Sequence, residues 1–207
     1  MIKKNILNHA VLSCKNHREL DKKTIKKFIP GYKLMENAGE VIYKIIKQKF
    51  KKQKKSINSY HFVDMLSDVL NNKDVVVTDM GLSFVGTHQA FKIKRGQKLY
   101  TNSGHAPMGW GLPAAIGACY AIKRKRIICL AGDGGFQMNS QELATVMHNK
   151  LPIKIFIYNN GGYLTIKQTQ QLGFNSRIMG SNSKSGLSFP DYKKIAQSYK
   201  IKYIKII

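Results

Sequence analysis

The residues best able to do chemistry are Gly132-Asp133-Gly134-Gly135 and, after room for one helix and one strand, Asn159-Asn160. Asp133 closes one buried strand and Asn160 closes the next. A right-handed crossover brings both to the carboxyl edge of adjacent parallel strands, where α/β sheets bind ligands. A carboxylate and an amide oxygen are hard ligands suited to Mg²⁺ or Ca²⁺. One carboxylate leaves a divalent ion short of negative charge, so the balance is expected from a phosphate on the ligand. Gly134 and Gly135 let backbone N–H groups approach such a phosphate just before a helix N-terminus. Together these features point to a metal-bridged diphosphate site. A dinucleotide fingerprint would need glycine where Gln137 stands, and no GxxxxGK[ST] loop occurs.

The elements that must position these residues alternate from residue 56 onward. Tyr60–Asn71 has helical spacing through Phe62, Met65, Leu66, Val69 and Leu70. Asp74–Asp79 reads as a short buried strand, Leu112–Ile122 as a small-residue helix and Ile127–Gly132 as a second strand. Ser140–Asn149 reads as a helix with Asn139 as its cap and Glu142 completing a capping box. Ile153–Tyr158 is a third strand, Pro190–Tyr199 a helix, and Ile201–Ile207 an expected final strand. Continuous apolar strands joined by helices predict a parallel α/β sheet covered on both faces. With no covering helix after the last strand, the domain reads as trimmed at its C-terminal end.

The first 55 residues differ in character. Glu36–Phe50 places Val41, Ile42, Ile45, Ile46 and Phe50 on one stripe, an amphipathic basic helix suited to covering its own domain's core or, as the lesser alternative, to lying on a membrane surface. The run Lys51–Ser56 lacks an apolar anchor and reads as a linker. The predicted organisation is therefore a basic helical segment over 1–55 and an α/β domain over 56–207.

The chain has 207 residues and a formal net charge of +24, from 35 Lys plus Arg against 11 Asp plus Glu. Residues 1–55 carry 16 basic and 4 acidic side chains, and 56–207 the remaining 19 and 7, so each part is net +12. Lysines outnumber arginines 30 to 5 and no nucleic-acid motif accompanies them, so the charge is read as solvated lysine-rich surface. No apolar run reaches the roughly 20 residues of a membrane helix. Cys14, Cys119 and Cys129 form no CxxC pair, and Met1–Leu7 is broken by Lys3, Lys4 and Asn5. A reducing, cytoplasmic setting without a secretory signal is the expectation.

The stretches TDMG (78–81), SGHAPMGWGLPAAIGA (103–118), LAGDGGFQMNSQELATV (130–146) and LPIKIFIYNN (151–160) resemble the thiamine diphosphate-dependent enzymes, in their acetolactate synthase-like branch. The resemblance implies that Asp133 and Asn160 bind Mg²⁺ through side-chain oxygens and Gly162 through its carbonyl. It implies that Gly134 and Gly135, following Gly132, bind the diphosphate through N–H groups. Gly81, Leu82 and Ser83 match the loop reaching it from the other side. Members often carry Gln-His where this chain has Leu82-Ser83, leaving Ser83 as the side-chain donor there. Met108 matches the apolar residue that props the cofactor in a V shape, bringing its amino group to the reactive carbon. His105 is the ionisable side chain beside this pocket able to act near neutral pH, as a substrate orienter or proton shuttle. Tyr163, Leu164, Thr165 and Gln168–Gly173 match the substrate-lining segment, although members commonly have methionine near Thr165.

The family also requires a glutamate on the aminopyrimidine, contributed by a separate pyrimidine domain. This chain has Glu19, Glu36, Glu40 and Glu142, and none lies in such a domain. The resemblance thus implies the diphosphate half of a lyase or transferase acting on a 2-keto acid. A homo- or hetero-oligomeric partner would supply the glutamate. The alternative is a non-catalytic product whose basic N-terminus binds anionic surfaces. Residues 17–42 separately resemble the opening helices of the NAD(P)HX epimerase family, without that family's nucleotide-binding core.

Overall fold

The computed structural model describes residues 56–123 and 125–206. The expected helix over 36–50, the lysine run 51–55 and the epimerase-like stretch 17–42 lie outside the described residues.

Helix α1 (Ser59–Val69) starts where Asn58 Oδ1 accepts the N–H groups of Tyr60 at 2.9 Å and His61 at 3.3 Å. Its buried stripe runs through Val63, Leu66 and Ser67, whereas Met65 and Val69 face solvent, so the expected stripe is rotated by part of a turn. Four parallel strands follow in the order β2-β1-β3-β4: β1 (Val75–Thr78), β2 (Lys98–Tyr100), β3 (Ile127–Gly132) and β4 (Ile153–Tyr158). Period-2 alternation divides them between two cores. Val75, Val77, Ile127, Cys129 and Ala131 pack on one face with Leu112, Ala115, Phe136, Leu143 and Tyr192. Val76, Ile128 and Leu130 pack on the other with Leu66 and Leu70. Each fully buried Ile or Leu contributes about 1.5–3 kcal/mol, and this two-sided burial is why the strands read as unbroken apolar runs.

Between the strands lie α2 (Leu82–Ala90), α3 (Gly111–Ala121), α4 (Asp133–Met138) and α5 (Leu143–His148). After β4 come α6 (Leu164–Gly173) and α7 (Tyr192–Ser198), the latter capped by Asp191 Oδ1 on the N–H of Lys193 at 2.8 Å. The chain runs from β1 outward to β2, then returns across β1 to β3. The strand order therefore reverses between β1 and β3, a switch point of the kind at whose carboxyl end α/β sheets bind ligands. Among the described residues no helix is long and apolar enough to cross a membrane.

Several expectations need correction. The single helix over 140–149 is a 3₁₀ turn (Ser140–Glu142) followed by α5, and the capping box does not form. Asn139 instead donates to Gly109 O at 2.8 Å and its Oδ1 accepts from Gln141 Nε2 at 3.1 Å, while Glu142 accepts from Thr145 Oγ1 at 3.1 Å, so both side chains are engaged elsewhere. The expected strand 201–207 is not a strand over 201–206. Ile201 N–H closes α7 on Ala196 O at 2.8 Å, and Tyr203, Ile204 and Ile206 are exposed. A β-like composition makes a strand only where a ladder partner is engaged.

Candidate cofactor site

Asp133 stands at the end of β3, where Gly132 is in register with Tyr158 of β4. Two residues beyond Tyr158 the chain turns through Asn160–Gly162, and the Asp133 carboxylate gathers that turn. Oδ2 accepts the N–H groups of Asn160 (3.0 Å), Gly161 (2.7 Å) and Gly162 (3.3 Å), while Oδ1 accepts Gly134 N–H (2.8 Å). The predicted juxtaposition of Asp133 and Asn160 across adjacent strands is therefore present. Asp133 is 2% exposed, whereas Asn160 lies at the surface, its Oδ1 accepting Gly162 N–H at 3.2 Å. Tyr192, at the start of α7, donates its hydroxyl to Asp133 O at 3.1 Å. Burial and the nearby Asp133 charge push that hydroxyl's pKa well above its ordinary value.

The glycines after Asp133 are sites of close approach. A Cβ on Gly134 would fall 2.0 Å from Tyr163 Cε1 and 3.3 Å from Met108 Cε. One on Gly135 would fall 1.8 Å from Asp79 Oδ2. Met108, Gly134 and Tyr163 thus meet at one point, joining three segments that the sequence singled out separately. Gly81 caps α2 and faces α6, its Cβ position lying 4.0 Å from Thr165 Oγ1.

Two candidate side chains sit otherwise. Ser83 is fully buried and donates its hydroxyl to Met80 O at 3.0 Å, turning inward under α2. His105 is exposed on the 103–105 turn. Conversely, Asp79, Asn139 and Tyr192 shape the site although the sequence reading assigned them no role in it. For Asp79 a signal existed: a lone acid at the carboxyl end of a buried strand, inside the TDMG motif. For Asn139 and Tyr192 there was none, since their partners are distant in the chain.

Residues 79–207 match the family model "Thiamine pyrophosphate enzyme, C-terminal TPP binding domain". The chain belongs to this family, and its α/β domain is the thiamine pyrophosphate-binding domain. Among similar proteins is an acetolactate synthase large subunit from Cyanidium caldarium. It is 42% identical over 134 residues, which cover 65% of this chain and 22% of that protein. A probable acetolactate synthase large subunit from Methanocaldococcus jannaschii is 38% identical over 159 residues, 74% of this chain and 26% of that protein. The acetolactate synthase isozyme 1 large subunit of Escherichia coli K12 is 31% identical over 133 residues, 64% of this chain and 24% of that protein. The chain spans about a quarter of the length of the curated relatives it matches.

Proposed function

We propose that residues 56–207 are the Mg²⁺–thiamine diphosphate-binding half of an acetolactate synthase-like enzyme that decarboxylates a 2-keto acid and ligates the product. The observation that carries this reading is the convergence of Asp133 with Asn160–Gly162 beside Gly134. The donor set fits a cation. Oδ2 of Asp133 already takes three N–H groups, but Oδ1 takes one and keeps acceptor capacity, as does Asn160 Oδ1. With the Gly162 carbonyl these are hard oxygen ligands carrying a single charge. A ligand with its own phosphates would complete the neutralisation.

When bound, thiamine diphosphate supplies a nucleophilic carbon and an electron sink for loss of CO₂ from a 2-keto acid. The protein's share is to bind and orient. Asp133, Asn160 and Gly162 would hold the metal, Gly134, Gly135 and the 81–83 backbone the diphosphate, and Met108 the bend of the cofactor. His105, exposed on its turn, would orient the substrate carboxylate or shuttle a proton. Glu142, the one glutamate among the described residues, is engaged by Thr145, which supports a glutamate supplied by a pyrimidine-domain partner. The same reading keeps residues 1–55 as a separate segment. The buried thiols Cys119 and Cys129 support a reducing, cytoplasmic setting.

Calorimetric titration of the full chain with thiamine diphosphate tests the site. Binding should require Mg²⁺ and be lost in Asp133→Ala and Asp133→Asn. Binding indifferent to both metal and substitution would refute the assignment. Salt-sensitive binding to anionic vesicles, with no cofactor affinity, would favour the non-catalytic alternative.

A further inference from the structure

Asp79 ends at the switch point between β1 and β3 and is 1% exposed. Its own N–H donates to Leu130 O at 2.7 Å, which pins its backbone to β3. Its carboxylate binds the 109–111 segment, Oδ2 accepting Gly109 N–H at 3.2 Å and Oδ1 accepting Gly111 N–H at 3.3 Å. The approach is close enough that a Cβ on Gly111 would lie 2.7 Å from Asp79 Cβ. The same carboxylate also abuts Gly135, where a Cβ would meet Oδ2 at 1.8 Å.

Among the described residues no cation pairs with this carboxylate. A buried acid without a counter-charge is costly, and burial raises the Asp79 carboxyl above its ordinary value despite the N–H groups around it. What distinguishes Asp79 is that it touches both walls of the proposed cofactor site. The segment it holds carries Met108, and the start of α4 that it abuts carries Gly134 and Gly135.

We infer that Asp79 is a positioning residue: it fastens the Met108–Gly111 segment to the end of β1 and abuts Gly135, setting the spacing between the apolar prop and the glycines that open α4. This rests on the reading of Met108 and Gly134–Gly135 as cofactor-facing. Asp79 acts through those residues and need not touch the cofactor. Asn139 adds a second tie to the same segment through Gly109 O.

Trp110, the chain's only tryptophan, lies between the two tied glycines and packs against the larger core, so its fluorescence reports this segment directly. Asp79→Asn keeps the shape but turns one acceptor into a donor facing an N–H group. Its Trp110 emission should move to longer wavelength and become more accessible to acrylamide, with helical circular dichroism retained. Mg²⁺–thiamine diphosphate affinity should fall about tenfold through lost preorganisation. Asp74→Asn, at the other end of β1, should lower stability while leaving Trp110 emission and cofactor affinity as in wild type.

Hydrogen exchange on the wild-type chain needs no variant: Gly109 and Gly111 amides should exchange far more slowly than those of the exposed turn 103–105. Native Trp110 emission and affinity in Asp79→Asn, or free exchange at both glycines, would overturn the inference. A wild-type chain that binds no cofactor with Mg²⁺ present would refute the proposed function instead. The fluorescence and exchange results would still decide whether Asp79 holds the segment.

Discussion

Oδ2 of Asp133 accepts the backbone N–H of Gly161 at 2.7 Å, tying the end of β3 to the turn that leaves β4. Three further N–H groups converge on the same carboxylate. Removing it strands donors that are partly shielded from water. Asp133→Ala is expected to lower unfolding free energy by about 2 kcal/mol even without metal or cofactor. Asp133→Asn, which keeps one oxygen acceptor, should lose less stability while losing metal affinity. Urea denaturation of the apo chain measures this, and wild-type stability in Asp133→Ala would show that the carboxylate does not organise the turn.

Gly134 and Tyr163 form a second test. A methyl group on Gly134 would overlap the Tyr163 ring, with Cε1 at 2.0 Å and Cδ1 at 2.6 Å. Gly134→Ala is expected to cost about 1–3 kcal/mol through overpacking. Tyr163→Ala should relieve part of that cost, giving a coupling of about 1 kcal/mol in a double-mutant cycle. Strict additivity would mean that the ring and the glycine do not meet.

Arg126 and Asp74 fasten the other end of the sheet. The guanidinium engages both carboxylate oxygens, Nε to Oδ1 at 3.3 Å and NH2 to Oδ2, while Oδ2 also accepts Asn71 N–H at 2.8 Å. Asp74→Ala is expected to cost about 1–3 kcal/mol, more than an ordinary surface pair, because the fork is bidentate and the acid largely buried. Arg126→Gln should cost less, since Asp74 would retain its backbone partner. Equal stability of wild type and Asp74→Ala in thermal melts would contradict this.

The Asp79 carboxyl predicts a pH dependence. Burial raises its folded pKa above 3.8, outweighing the N–H bonds that pull it down. An acid with a raised folded pKa contributes its stability in full below the unfolded value and loses it as pH climbs through the folded one. Relative to Asp79→Asn, the wild-type chain should therefore lose unfolding free energy from about pH 4 upward. Any constant penalty from the asparagine shifts the two curves without changing their difference in slope. Parallel urea midpoints between pH 4 and 7 would disprove the prediction.

Local sequence determined much of this domain. Strands β3 and β4 have the bounds their apolar runs predict, and β1 lies within its expected span. The Gly132–Gly135 and Asn160 pattern marked the crevice because chemistry there is tied to the ends of neighbouring strands. Helix α2 went unread, since Ser83, Gly86, Thr87 and Ala90 bury a face of small and polar residues that carries no apolar stripe. The three-residue β2 was too short and too exposed to show alternation. The tertiary structure alone decided that 201–206 is not a strand, that Asn139 ties the Gly109 loop, and that Asp79 joins both walls of the site. Periodicity records which face a residue turns to its own element's neighbours. Which distant backbone groups a buried carboxylate collects depends on the stacking of whole elements, and no spacing along the chain encodes that.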